Sequence, residues 1–245
     1  LIIAAKFRGP PTSGNGGYVS GLFSRLIESS DAVEVTLRAP IPLDHALTPV
    51  APIESVAPKE SVAKVVDGET LIAEIRSVEL SLEIPKLPDW AATKAAQHLS
   101  YSLVEDFQPG MPGKRGFHPI CFCCGADHET GLQVFAAPVG ENQVATIWQT
   151  DAKWAEEEGL LPSEYLWTAM DCPGQFAFLQ AGIRTGLLGR MTAQVHFRPL
   201  AGAPLLVTAW TIRVEGKKHF AGAAVHTEDG RLCSEAVTVW IGRRE

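Results

Sequence analysis

The sequence predicts an α+β protein built twice over, with two antiparallel sheets each wrapped around a central helix. Three observations carry this. Alternating apolar runs joined by Asp-Gly turns occur in both halves, which is the pattern of antiparallel hairpins. Each half also holds a helical apolar stretch that starts at a glycine, near Gly17 and near Gly174. Finally, the landmarks keep their order: a glycine helix start, a proline-marked strand end at Arg38 or Arg198, then Asp67-Gly68 or Asp229-Gly230. The intervals are 21 and 29 residues in the first half and 24 and 31 in the second, which one loop each could absorb. That is the signature of a duplicated unit.

The elements follow in order. Ser13–Gly17 is a glycine-rich turn opening a helix whose apolar face is Tyr18, Val19, Leu22, Phe23, Leu26 and Ile27. Gly17 and Gly21, one turn apart, would let another backbone approach closely. Ala32–Leu37 alternates as a strand, and Pro40 and Pro42 end it. Ser61–Val66 and Thr70–Ile75, running on towards Leu82, form a hairpin over Asp67-Gly68. Trp90–Leu103 reads as an amphipathic helix and Pro109–Lys114 as a linker. Leu132–Ala136 and Gln143–Gln149 read as strands joined through Gly140. A helix over Leu166–Met170 runs into Asp171-Cys172-Pro173-Gly174, where Pro173 forces a kink or restart before Gln175–Ala181. Met191–Phe197, Leu205–Val214, Phe220–His226 and Leu232–Ile241 are consecutive antiparallel strands. The domain division is therefore 1–88, a linker with a short helix over 89–116, and 117–245.

Composition narrows the function classes. At 245 residues with 46% apolar content, the chain can bury a core without disulfides or metals. Its apolar runs are far shorter than the ~20 residues of a membrane span. Net charge is −7 and no basic cluster exceeds a pair, which argues against nucleic acid as a partner. Five cysteines, three of them at Cys121, Cys123 and Cys124, do not make a secreted disulfide framework, so a cytoplasmic protein is expected. The start lacks the basic region of a signal peptide, and it lacks Met, so truncation there is expected.

These residues together resemble a known family. A central helix wrapped by an antiparallel sheet and duplicated in one chain resembles the tandem, double-hotdog form of the hotdog fold. Cys121-Phe122-Cys123-Cys124-Gly125 leading to Gly131-Leu132 resembles the Cys-Phe-x-Cys-Gly…Gly-Leu segment of acyl-CoA thioesterase-like members. Asp171-Cys172-Pro173-Gly174 resembles the Asp-x-x-Gly start of their central helix, and Gly14-Asn15-Gly16-Gly17-Tyr18 is similar to other such helix starts. The resemblance implies an acyl-CoA thioesterase-like hydrolase with its site between the halves. It implies an acyl-CoA or acyl-carrier thioester as partner, no cofactor beyond the coenzyme A of the substrate, and a homodimer of such chains.

The chemistry such a reaction needs is a carboxylate to activate water and donors for the oxyanion. Asp171 suits the first role; its bland alternative is a helix cap. Gly16, Gly17 and Gly174 suit the second, with unobstructed N–H groups at helix starts. The first half offers Asn15 in place of an acid, able to orient water or polarise a carbonyl; alternatively it is a turn residue tolerating positive φ. Aligning the glycines sets Gly14, not Asn15, opposite Asp171. Asp171 is expected part-exposed in an apolar inter-half cleft facing Gly16 and Gly17. Arg38 and Arg198 are candidates for CoA phosphates. A metal held by Cys121, Cys123 and Cys124 with His118 or His128 is set aside, because the run reads C-x-C-C and the resembling segment implies no zinc. Phosphate-loop and serine-elbow motifs are absent. His196 reads as a sheet residue. Two other readings stand beside hydrolysis: an acyl or acyl-CoA binding protein without catalysis, suggested by the missing acid in the first half, and a hydratase, whose Asp…His signature is absent.

Overall fold

The computed structural model describes residues 1–51, 62–107 and 111–242. Its helices are α1 (Gly16–Ser24), α2 (Trp90–Ala96), α3 (Ser163–Ala169) and α4 (Cys172–Gln180). Its strands are β1 (Ala32–Leu37), β2 (Thr48–Val50), β3 (Val62–Asp67), β4 (Thr70–Val78) and β5 (Ala137–Gly140), then β6 (Gln143–Gln149), β7 (Leu188–Val195), β8 (Pro204–Glu215), β9 (Lys218–Thr227) and β10 (Leu232–Ile241).

The strands form one antiparallel sheet in the order β2-β3-β4-β1-β7-β10-β9-β8-β6-β5, where two sheets were expected. The two merge because β1 pairs antiparallel with β7, Val35 opposite Met191. An edge strand carries unpaired N–H and C=O groups, so joining two edges satisfies both. From that seam the order reads β1-β4-β3-β2 on one side and β7-β10-β9-β8 on the other, with β6 and β5 beyond. The turns at Asp67-Gly68 and Asp229-Gly230 join β3 to β4 and β9 to β10. Gly68 and Gly230 adopt φ of +58° and +83°, which their tight turns require. A single core runs through the molecule, drawing Phe23, Val35 and Ile75 from the first half and Leu166, Phe176 and Val207 from the second.

Some boundaries differ from the expected ones. Leu132–Ala136 is not in the sheet; Leu132 and Val134 donate their N–H groups to the carbonyls of Phe122 and Cys123, at 2.7 and 2.9 Å. The apolar alternation there comes from burial under a loop, and the strand proper begins at Ala137. The helix expected over Trp90–Leu103 ends at Ala96 and tightens into a 3₁₀ turn over Gln97–Leu99. Gln97 Nε2 ties it to Thr146 Oγ1 of β6 at 2.7 Å. Ser61 and part of the expected Pro109–Lys114 linker lie outside the described residues. The expected break at Pro173 is present: α3 ends at Ala169, and Pro173 sits in the first turn of α4, where a missing N–H costs nothing.

The close approach expected at Gly17 and Gly21 is made by α3. A Cβ on Gly17 would lie 2.7 Å from Asp171 Cβ and 2.8 Å from the Trp167 carbonyl oxygen. One on Gly21 would lie 2.7 Å from Glu164 Cα. This contact brings the start of α1 against the α3–α4 junction. No described helix is long and apolar enough to cross a membrane.

Candidate active site

The first described turn of α1 leaves N–H groups without intrahelical acceptors, as any helix start does. Asn15 stands at its N-cap, and its Oδ1 accepts from Tyr18 N at 2.8 Å. Its φ is −64°, so the positive-φ reading does not apply. The Asn15 amide donates to Asp171 Oδ2 at 2.8 Å, and Gly17 N–H donates to the same oxygen at 3.0 Å. Asp171 occupies the N-cap position of α4 yet makes no side-chain bond there. Its carboxylate instead caps the helix of the other half. Asn15 and Asp171, each the residue before its helix, thus meet face to face; the glycine alignment had missed this correspondence by one position.

Asp171 was expected part-exposed and is 2% exposed. Its second oxygen, Oδ1, is buried and has no hydrogen-bond partner among the described residues. Burial pushes its pKa up to about 7, reinforced by the charge of Cys121 and opposed by the Gly17 and Asn15 hydrogen bonds. A cavity of about 600 Å³ runs beside it, walled by Leu37, Ile41, Phe117, Leu188 and Trp240 and bordered by Asn15, Gly16 and Asp171. It takes residues from both halves of the chain.

The other expected residues fall on and off this cavity. Gly16 lies on it as the first residue of α1, and its N–H meets no acceptor among the described residues. Gly17 N–H is already engaged by Asp171. Gly174 is away from the cavity: its N–H donates to the Asp171 carbonyl at 3.1 Å, and a Cβ there would meet Thr238 Oγ1 at 2.8 Å. It is a close-packing glycine under β9 and β10. Arg38 stands at the cavity rim, held by Glu74 Oε2 at 2.6 Å. Arg198 does not reach it; its guanidinium braces the Leu161 carbonyl at 2.7 Å and Glu156 at 2.7 Å. His196 is exposed in contact with Glu235, 3.2 Å away.

Two polar groups on the cavity, Gln175 and Thr185, escaped the sequence reading, and a third, His118, entered it only as a metal-ligand candidate. Gln175 lies one helical turn after Asp171 and so faces the same way; its Oε1 contacts His118 Nε2 at 2.8 Å and its amide donates to Thr185 Oγ1 at 2.9 Å. The four-residue spacing was the available signal for Gln175. Nothing local announces Thr185, and the nearness of His118 to the cysteine run pointed to a metal rather than to this cavity. All five cysteines are free and buried. Cys121 and Cys172 line the cavity with their sulfurs 3.6 Å apart, and the Asn15 amide points at Cys121 Sγ from 3.6 Å. Hydrogen bonds from the Cys124 and Cys172 thiols hold Cys121 well below the usual thiol range.

No protein-family profile and no curated protein matches the chain. Solved structures do. A provisionally assigned thioesterase from Novosphingobium aromaticivorans superposes with a TM-score of 0.60 at 12% identity, covering 100% of this chain and 94% of that one. The tesB protein of Mycobacterium avium subs. paratuberculosis gives 0.58 at 10%, covering 96% and 89%. A protein of unknown function with a hot dog fold from Alicyclobacillus acidocaldarius gives 0.56 at 10%, covering 98% and 91%. At such identities the likeness bears on architecture, and over nearly its whole length the chain has the hotdog fold of these thioesterase-like structures.

Proposed function

We propose that the chain is a tandem hotdog hydrolase that cleaves an acyl thioester in the cavity between its halves. The observation that carries this is the Asp171 carboxylate: one oxygen fixed by Gly17 N–H and the Asn15 amide, the other unpartnered among the described residues and beside an apolar cavity. Such a group can take a proton from water lodged against Oδ1. The water oxygen adds to the thioester carbonyl, the C–S bond breaks, and the proton returns to the leaving sulfur. Gly16 N–H, at the positive end of α1, is the donor for the developing oxyanion. Apolar walls suit an acyl chain, and Arg38 at the rim suits a phosphate of coenzyme A or of a carrier. Coenzyme A enters only as part of the substrate. The symmetric strand order about the β1–β7 seam supports the tandem reading, and a dimer of two such chains in the cytoplasm belongs to the same proposal.

The test is a panel of acyl-CoAs with free thiol as the readout, on the native chain and on Asp171→Asn. The amide keeps the shape, so folding survives while turnover falls by ~10²–10⁴, the usual worth of a general base. Unchanged turnover in the variant removes Asp171 from the mechanism. A native chain that binds acyl-CoA without releasing thiol is instead a binding protein. The near-complete enclosure of Asp171, 2% exposed, is the observation favouring that second reading.

A further inference from the structure

The cysteine run was set aside as a metal site because its sulfurs were counted as C-x-C-C. In three dimensions a different set converges. Cys121 and Cys124, which are spaced C-x₂-C, bring their sulfurs together with Cys172 from the first turn of α4, all within 4.8 Å of one another. Cys123 is not part of that set: its thiol donates to the Thr168 carbonyl at 3.1 Å, although it also lies beside Cys172. C-x₂-C is the spacing by which one tight turn presents two thiolates to a single ion. The turn is tight here: Gly125 N–H closes it on the Cys121 carbonyl at 2.8 Å, and a Cβ on Gly125 would sit 2.5 Å from Cys121 N and O.

We propose that Cys121, Cys124 and Cys172 form a three-thiolate site for a zinc-like divalent cation on the cavity wall. A Zn–S bond of about 2.3 Å sets tetrahedral sulfurs about 3.8 Å apart. The Cys121–Cys172 separation of 3.6 Å already meets that spacing. Binding costs each thiol its proton, released to solvent, and replaces three S–H groups by three S–metal bonds. Two of the three thiols, those of Cys121 and Cys172, line the cavity, which gives an ion a route to the site. The site also explains how an irregular stretch stays ordered. Residues 117–132 hold no described helix or strand, yet Phe117, Phe122 and Leu132 are buried. A metal bridge from that stretch to α4 ties it down.

The experiment uses the reduced, full chain and zinc or cadmium alone, without substrate, so its result is independent of whether a thioester is cleaved. Equilibrium titration should find a single site, and X-ray absorption on the loaded protein should count three sulfur neighbours, the number the cluster supplies. Ser at Cys121, Cys124 or Cys172 should weaken binding by at least the ~10–100-fold that disturbing a ligand's hydrogen-bond partner costs. Cys123→Ser, in the same run of sequence, and Cys233→Ser should bind like the native chain. No binding by the native chain, fewer sulfur neighbours than the cluster supplies, or loss on Cys123→Ser overturns the proposal. So does a Cys121–Cys172 disulfide as the resting state of the protein.

Discussion

Asn15 shows how much one side chain can hold. Its oxygen caps α1, and its amide fixes Asp171 across the junction of the halves. Asn15→Ala removes a cap and leaves a buried carboxylate oxygen short of a donor. A loss of roughly 1–3 kcal/mol in chemical denaturation is expected. His226 makes a second residue-scale case. It is buried in β9 with Nδ1 unpartnered among the described residues, and burial lowers its pKa from the ordinary 6.5. The unfolded chain therefore takes up the proton first as pH falls through about 6.5, so stability is lost on acidification through that window. His226→Phe should flatten the stability–pH curve between that value and the lowered native one. An unchanged slope would show that other groups set it.

At the scale of elements, the crossing of α1 over α3 depends on having no side chain where the backbones meet. Gly21→Ala sets a Cβ 2.7 Å from Glu164 Cα, a backbone atom that cannot swing aside. A thermal or chemical melt should show a loss of about 1–3 kcal/mol, the usual cost of overpacking. Gly140 in β5 is the matched control. Its φ is not positive and a Cβ there would meet nothing within 4 Å. Gly140→Ala should be neutral or stabilising by up to about 1 kcal/mol, through the unfolded chain. Equal effects at the two glycines would remove the close-approach account. The helix kink was legible because Pro173 acts through its own ring. The strand expected over Leu132–Ala136 was not, since burial beneath a loop produces the same alternation as one face of a sheet.

For the whole molecule, one sheet and one core join the halves, and a single cooperative unfolding transition is expected from that. The six tryptophans all lie at Trp90 or later. If the halves unfold together, Gly21→Ala in the first half should shift the tryptophan-detected transition as much as it shifts the far-ultraviolet one. A tryptophan transition left in place, with a second transition moved, would make the halves independent.

The sequence by itself determined the class of the fold, the antiparallel hairpins over Asp67-Gly68 and Asp229-Gly230, the restart at Pro173 and the choice of Asp171 as the acid to watch. Those features are local or periodic: turn dipeptides, apolar spacing, a ring without an N–H, a carboxylate beside a glycine. Only the tertiary structure decided that two sheets merge along β1 and β7, since edge pairing depends on where strands lie and leaves the alternation unchanged. It also separated Arg38 at the cavity from Arg198 away from it, although each follows closely on a strand of the β1–β7 seam. Asn15, Asp171, His118 and Cys121 come from segments as far as 156 residues apart, and their contacts exist only once α1 packs on the α3–α4 junction. Long-range contacts of that kind depend on packing geometry, which a linear pattern of residues does not encode.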